Sequence, residues 1–287
     1  MADGLSETTA QAIAAMGTGL GPDVLTACRA LFDAEQAVWA EAQPPVLRDA
    51  AYGPDARHRL DLYAEGAGQG RPVLLFVHGG GFVMGDKGDT GWANASVGRW
   101  AARQGWVGAV MNYRLAPDHG WPAGAEDVDA AVAWLRANVA AHGGDPERIF
   151  VMGTSAGAVH VSGFLRHRPD HADLVRGAVL LSGLYGYEPI DLRDERYYGP
   201  ADLYPARVPL EAVAGTALPL LVACAQYDPA RFQGEFLGLM QDRLARHGTM
   251  PRAVILPGHN HYTMAMHIGT ADRRLADEIA RFVKDIA

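Results

Sequence analysis

The sequence predicts an α/β fold: one domain with a mostly parallel central sheet flanked by helices. Three observations carry this. Short apolar runs alternate with helix-period segments from about residue 58 to the end of the chain. The runs at 73–77 and 218–225 are apolar almost throughout, as strands buried on both faces are. Apolar residues make up 49% and charged residues 20% of the 287 residues, which supports a sizeable core and excludes a disordered, coiled-coil or collagen-like chain. At roughly 150 residues per domain the length allows two domains, but a single large α/β unit fits equally well.

The elements follow in order. Residues 1–21 are small and polar, with three glycines close together at 17, 19 and 21, and read as a loose start. Pro22-Asp23 opens a helical pattern through Val24, Leu25, Cys28, Leu31, Phe32, Val38 and Trp39, which Pro44-Pro45 ends. Residues 58–63 alternate polar and apolar, as a half-exposed strand does. Strands follow at 72–78 and 107–113, a helix at 126–139, a strand at 148–152 and a helix at 156–166. Strands at 178–182, 218–225 and 253–256 then alternate with helices at 231–246 and 271–287. Residues 185–215 break the alternation. They show no clear period and hold half of the ten tyrosines, which suits a lid over a half-wet pocket.

Composition narrows function. Acidic residues outnumber basic ones by 33 to 25, for a net charge of -8, so a nucleic-acid binder or polybasic membrane-surface protein is not expected. Cys28 and Cys224 are the only cysteines and form no CxxC, which suggests neither a disulfide framework nor a thiolate metal site. Cys224 reads as a buried, inert thiol. The N-terminus lacks the basic start and apolar stretch of a signal peptide. The unbroken apolar runs reach five to seven residues, far short of the ~20 needed to span a bilayer. A cytoplasmic location is the expectation.

The sharpest chemical signal is Gly153-Thr154-Ser155-Ala156-Gly157, directly after a strand and opening a helix. That is the setting of a nucleophile elbow. Side chains two before and two after the serine would clash in so tight a turn, hence the glycines. The helix N-terminus then offers free N–H groups to a developing anion. The second signal is His78-Gly79-Gly80-Gly81-Phe82, also after a strand. A tetrahedral intermediate needs donors already aimed at its oxyanion. The N–H groups of Gly80, Gly81 and Ala156 suit that role, with His78 bracing the loop. No Gly-Lys-Ser/Thr follows, so this is no phosphate loop. A serine nucleophile needs a base, and the base an orienting carboxylate. Asp228 follows the strand at 218–225, at the ligand-binding end of such a sheet. Two histidines, His259 and His261, follow the strand at 253–256, and either could be the base.

Together with Tyr113-Arg114-Leu115-Ala116-Pro117, Glu126-Asp127-Val128 and Tyr227-Asp228-Pro229, these residues resemble the bacterial hormone-sensitive-lipase-like branch of the α/β-hydrolases. The resemblance covers most of the chain from about Leu60. It implies the α/β-hydrolase fold, with residues 1–48 contributing to a small cap and 49–287 forming the catalytic domain, the rest of the cap being the insertion at 185–215. It also implies a cofactor-free and metal-free carboxylic ester hydrolase with a Ser-Asp-His triad. The family's base sits in or close to a Gly-x-x-His-x-Phe pattern, which matches Gly258-His259-Asn260-His261 and selects His261. A base must also reach Ser155 and Asp228 at once, and the residue nearest the following helix is better placed to do so. The chain departs from the family in three places: the N-terminal region is short for a full cap, Asp118 is followed by His119-Gly120, and the histidine loop reads Gly-His-Asn-His-Tyr with two histidines in place of one.

The expected reading is thus an esterase acting on a small-molecule ester, with Ser155, Asp228 and His261 catalytic and Gly80, Gly81 and Ala156 as the oxyanion hole. Phe82, Tyr185 and Tyr187 are expected to line a pocket for short acyl or aryl groups. An amidase or lactonase with the same triad, as in kynurenine-formamidase-like enzymes, is the alternative. A non-catalytic binding module has no need for all three triad residues. Asp127 and Arg114 are expected to make a structural contact, and Ser182, lacking the glycine of an elbow, to be structural. His259, His261 and His267 have no carboxylate in the same short stretch, so no metal is expected. The oligomeric state, a homodimer included, is left open.

Overall fold

A computed structural model describes residues 4–89 and 91–286. Eight strands form one sheet in the order β1-β2-β4-β3-β5-β6-β7-β8. β1 (Leu47–Ala51) and β2 (Arg59–Tyr63) are antiparallel additions at one edge. From β4 (Val107–Met111) through β3 (Arg71–Val77), β5 (Gly144–Thr154), β6 (Gly177–Leu181), β7 (Leu220–Tyr227) and β8 (Arg252–Asn260) every pairing is parallel. The sheet of the sequence reading is therefore present.

The two-residue period of a strand splits the core in two. Val73, Leu75 and Val77 of β3 face a layer made by α5 (Ala123–Asn138), α6 (Ala156–His167), α10 (Leu210–Gly215) and α11 (Ala230–His247). Leu74 and Phe76 face α4 (Ala95–Arg103) and α13 (Arg274–Ile286). α13 buries Leu275, Ile279, Phe282 and Val283 at helical spacing. Each such side chain is worth about 1.5–3 kcal/mol once removed from water. Position 287, at the end of the expected last helix, lies outside the described residues.

Several expectations need correction. The loose start at 1–21 contains α1 (Glu7–Met16), capped by the Ser6 side chain accepting from the Thr9 N–H; residues 1–3 lie outside the described residues. Alanines at 10, 12, 14 and 15 hid it, because they favour a helix without marking an apolar face. The helix at 22–45 is two, α2 (Pro22–Ala30) and α3 (Asp33–Ala42), broken where Phe32 leaves helical geometry at φ -117° and ψ -3°. Cys28, Phe32 and Gln36 form a buried stripe at four-residue spacing that holds a glutamine, Gln43 is buried just past α3, and Val38 is exposed. β1 falls across the boundary placed at residue 48 and belongs to the sheet. The segment at 185–215, which showed no period in the sequence, contains short helices. It is built from α8 (Glu195–Tyr198), α9 (Tyr204–Arg207), α10 and two single 3₁₀ turns. Between α6 and β6 lies one further turn, α7 (His171–Leu174). No helix among the described residues is long and apolar enough to cross a membrane.

Candidate active site

Ser155 stands between the end of β5 and the first residue of α6 with φ +53°, a region that costs a side-chain-bearing residue energy. The turn is held from below. The Ser155 N–H donates to the Leu181 carbonyl at 2.8 Å. A Cβ on Gly157 would lie 2.0 Å from the Val77 carbonyl oxygen, so only glycine lets α6 start this close to β3. Ala156, as the first helical residue, has an N–H with no acceptor inside the helix.

Asp228 follows β7, and His261 follows β8. The His261 Nδ1–H donates to Asp228 Oδ1 at 2.7 Å. That leaves the Nε2 lone pair to accept the Ser155 hydroxyl, at 2.9 Å. Asp228 is fully buried and His261 nearly so. The ring of Phe232, at the start of α11, lies 4.2 Å from the imidazole. The second carboxylate oxygen of Asp228 accepts from the Ser182 hydroxyl at 2.7 Å, the Ala225 N–H at 2.7 Å and the Cys224 thiol at 3.3 Å. Burial pushes the Asp228 carboxyl up, but the bonds from His261, Ser182 and Ala225 outweigh it and leave it below the ordinary value. Burial, and next the Asp228 charge, push the Cys224 thiol well up, so it stays protonated and donates. Cys224 is thus buried, as expected, but it is not idle. Ser182 has φ +47° and aims its hydroxyl at the carboxylate. Sequence reasoning set it aside as a failed elbow. Its signal was a serine ending the strand next to the elbow strand.

The loop at 78–86 passes beside the elbow. A Cβ on Gly79 would lie 3.3 Å from the Ser155 Cβ. His78 braces this loop as expected. Its Nδ1 reaches the Gly79 carbonyl, its ring stacks on Tyr113 at 4.3 Å, and burial pushes it down to about 4, so it is neutral at neutral pH. Gly80 and Gly81 adopt φ +130° and +56°. Just past the loop, Lys87 is completely buried. Its ammonium is 2.8 Å from Asp49, 3.0 Å from Asp61 and 2.5 Å from Asp89, and its N–H donates to Asn112 Oδ1. The Arg114 guanidinium and N–H both bond Asp127, which also meets His58, as a structural contact should.

Aromatic rings from the segment at 185–215 close over this loop. Phe82, at φ +71°, is buried beneath Tyr197, with ring centroids 4.6 Å apart, and Tyr198 meets its edge. Tyr185 and Tyr187 are elsewhere than expected. Their N–H groups, with those of Gly186 and Glu188, converge on the buried Glu235 carboxylate of α11, and the Tyr187 hydroxyl bonds Asp242. The rings packed with Ala156 and Phe82 are instead Tyr197, Tyr198, Tyr204 and Phe232. His259 points away from the serine, toward Thr263 and Asp272.

A parallel sheet with its serine on a strained strand-to-helix turn, joined to a histidine and an aspartate from the next strand ends, decides the fold family. The chain has the α/β-hydrolase fold. The BD-FAE family model matches residues 60–170. The hyperthermophilic esterase from the archaeon Pyrobaculum calidifontis superposes with a TM-score of 0.70 at 23% identity, over 99% of this chain and 100% of that one. Esterase LipC of Mycobacterium tuberculosis is 40% identical over 149 residues, which are 48% of this chain and 36% of LipC. The probable carboxylic ester hydrolase LipM of the same organism is 31% identical over 210 residues, 63% of this chain and 47% of LipM. The chain thus spans less than half the length of these curated relatives.

Proposed function

We propose that this α/β-hydrolase is a carboxylesterase of the hormone-sensitive-lipase-like branch, acting on esters with short acyl or aryl groups. The observation that carries the reading is the unbroken hydrogen-bonded chain from Ser155 through His261 to Asp228, ending on a serine held in a strained conformation at a helix start. The names of LipC and LipM agree with it. Ser155 attacks the ester carbonyl while His261 Nε2 takes its proton. Asp228 holds the resulting imidazolium, whose charge its buried carboxylate balances. The N–H groups of Gly80, Gly81 and Ala156 receive the oxyanion. The alcohol leaves with the proton from His261, and water cleaves the acyl-enzyme by the same route in reverse.

The small-substrate part of the reading rests on the cap. Tyr197, Tyr198 and Tyr204 fill the space above Phe82, and Phe232 closes the side of the histidine. A series of p-nitrophenyl esters of rising acyl length tests it. Activity should fall in steps past the optimum, since a methylene in an apolar pocket changes the barrier by only about 1–3 kcal/mol. Ser155→Ala should retain at most about 10³–10⁴-fold over water. An organophosphate adduct on any residue but Ser155 ends the triad reading, and an optimum at long chains ends the small-pocket reading.

A further inference from the structure

His259 is the next-to-last residue of β8, His267 follows α12 (Thr263–Met266), and Asp272 precedes α13. The structure brings one ligand atom from each within 4.8 Å of the others, and all three side chains are buried. The two imidazole rings lie 4.1 Å apart. His261, which faces Ser155, is not part of the group. Asp272 supplies the carboxylate missing from the short histidine stretch.

The hydrogen bonds say which atoms are open. The His267 Nδ1–H donates to the Thr263 carbonyl at 2.8 Å, which leaves Nε2 as a bare lone pair. That nitrogen is completely buried and has no partner. A buried acceptor left unmade costs about 1–3 kcal/mol.

His259 can join it. The Thr263 hydroxyl has one proton and two acceptors in reach, His259 Nδ1 at 3.1 Å and the Asn260 carbonyl at 3.2 Å. With the proton on the His259 side, the His259 Nε2–H donates to Asp272 Oδ2 at 3.0 Å. With the proton turned to Asn260, the His259 Nδ1–H donates to Thr263 Oγ1 and its Nε2 becomes a lone pair as well. Two imidazole nitrogens and a carboxylate oxygen then converge with no hydrogen among them. Each ligand is also held from behind: the histidines by Thr263, and the carboxylate by Arg274 at 2.9 and 2.6 Å. Outer bonds of this kind orient the ligands of metal sites.

We propose that His259, His267 and Asp272 bind a divalent transition-metal ion of the zinc class, behind the loop that carries His261. Two imidazoles and one carboxylate select such an ion over magnesium or calcium. Because Asp272 is shared with Arg274, the affinity is lower than that of a closed four-ligand zinc site. The ion ties the end of β8 to α12 and the start of α13. It takes no part in the hydrolysis proposed above, and the site stands whether or not that reading holds.

The test uses the full chain, stripped with EDTA, dialysed free of chelator, and titrated with Zn²⁺ alone. Bound zinc is counted by atomic absorption and Tm is read by calorimetry. Wild type should bind one zinc per chain and gain about 5 °C when zinc exceeds Kd a hundredfold. Co²⁺ at the same site should show visible d–d absorption. His267→Leu should lose both the bound zinc and the Tm gain, while its metal-free Tm is no lower than wild type because the bare nitrogen is gone. Should His267→Leu not fold, Asp272→Asn replaces it, since the amide keeps the shape. Absence of zinc-dependent stabilisation in wild type, or equal zinc binding by wild type and these variants, overturns the proposal.

Discussion

Replacing Ser182 by alanine should reach the catalytic base through Asp228. The hydroxyl is one of two close donors, at 2.7 Å, on a carboxylate oxygen that is completely buried, the third donor being a thiol at 3.3 Å. A hydrogen bond to a charged group contributes about 1.5–3 kcal/mol, and burial leaves no solvent to replace it. Ser182→Ala should therefore lose about that much stability in urea titrations. It should also lose roughly tenfold in kcat, about 1.4 kcal/mol, because the carboxylate is less firmly oriented toward His261. KM for a p-nitrophenyl ester should not move, since Ser182 has no reason to touch substrate. The pH profile gives the sign. With one donor fewer, the negative charge on Asp228 is less dispersed and holds the imidazolium proton more strongly. The acid limb of kcat/KM should then move to higher pH. Ser182→Gly removes the same hydroxyl while relaxing φ +47°, so agreement between the two variants assigns the effect to the hydroxyl. On an Asp228→Asn background, Ser182→Ala should cost no further kcat. Full activity with an unmoved acid limb in Ser182→Ala would refute the reasoning.

His261→Ala should abolish turnover as fully as Ser155→Ala, and combining the two should be no worse, whereas His259→Ala should keep kcat within about tenfold; steady-state kinetics decide, and the reverse pattern would reassign the base. Lys87→Met should destabilise by about 3–5 kcal/mol in urea titrations, because it leaves Asp61, almost wholly buried, beside two other carboxylates with no cation among them; a loss below 1 kcal/mol would mean the cluster relaxes into solvent.

The parallel strands were legible because burial on both faces leaves unbroken apolar runs. β1 was not, because Leu47–Ala51 reads Leu-Arg-Asp-Ala-Ala and lies at the sheet's edge with little buried. The elbow and the glycine loop were legible because both demand glycine where a side chain meets backbone. Asp228 was placed by strand order, which left His259 and His261 open; the resembling family's pattern selected His261, and the geometry joins Asp228 and His261 to Ser155. Ser182 and Cys224 were missed as supports of Asp228 because they come from two strands whose adjacency is a property of the fold. The anchoring of Tyr185 and Tyr187 was hidden for a related reason. Nothing in the segment 185–215 shows that Glu235, on a later helix, draws in the N–H groups of residues 185–188.

The loop that mounts the base is also gripped from the other end of the described chain. The Gly21 N–H donates to the Tyr262 hydroxyl, Cys28 meets the Asn260 amide, and the Gln36 amide donates to the carbonyls of Met266 and Ile268. These partners are 230 to 241 positions apart in sequence. Contacts between such distant segments carry a larger loop-closure cost than local ones, although that cost grows slowly with separation. The loop that carries His261 is therefore fixed from two sides, by β8 within the sheet and by side chains and backbone from residues 21–36. The seating of His261 thus depends on contacts that span most of the described chain.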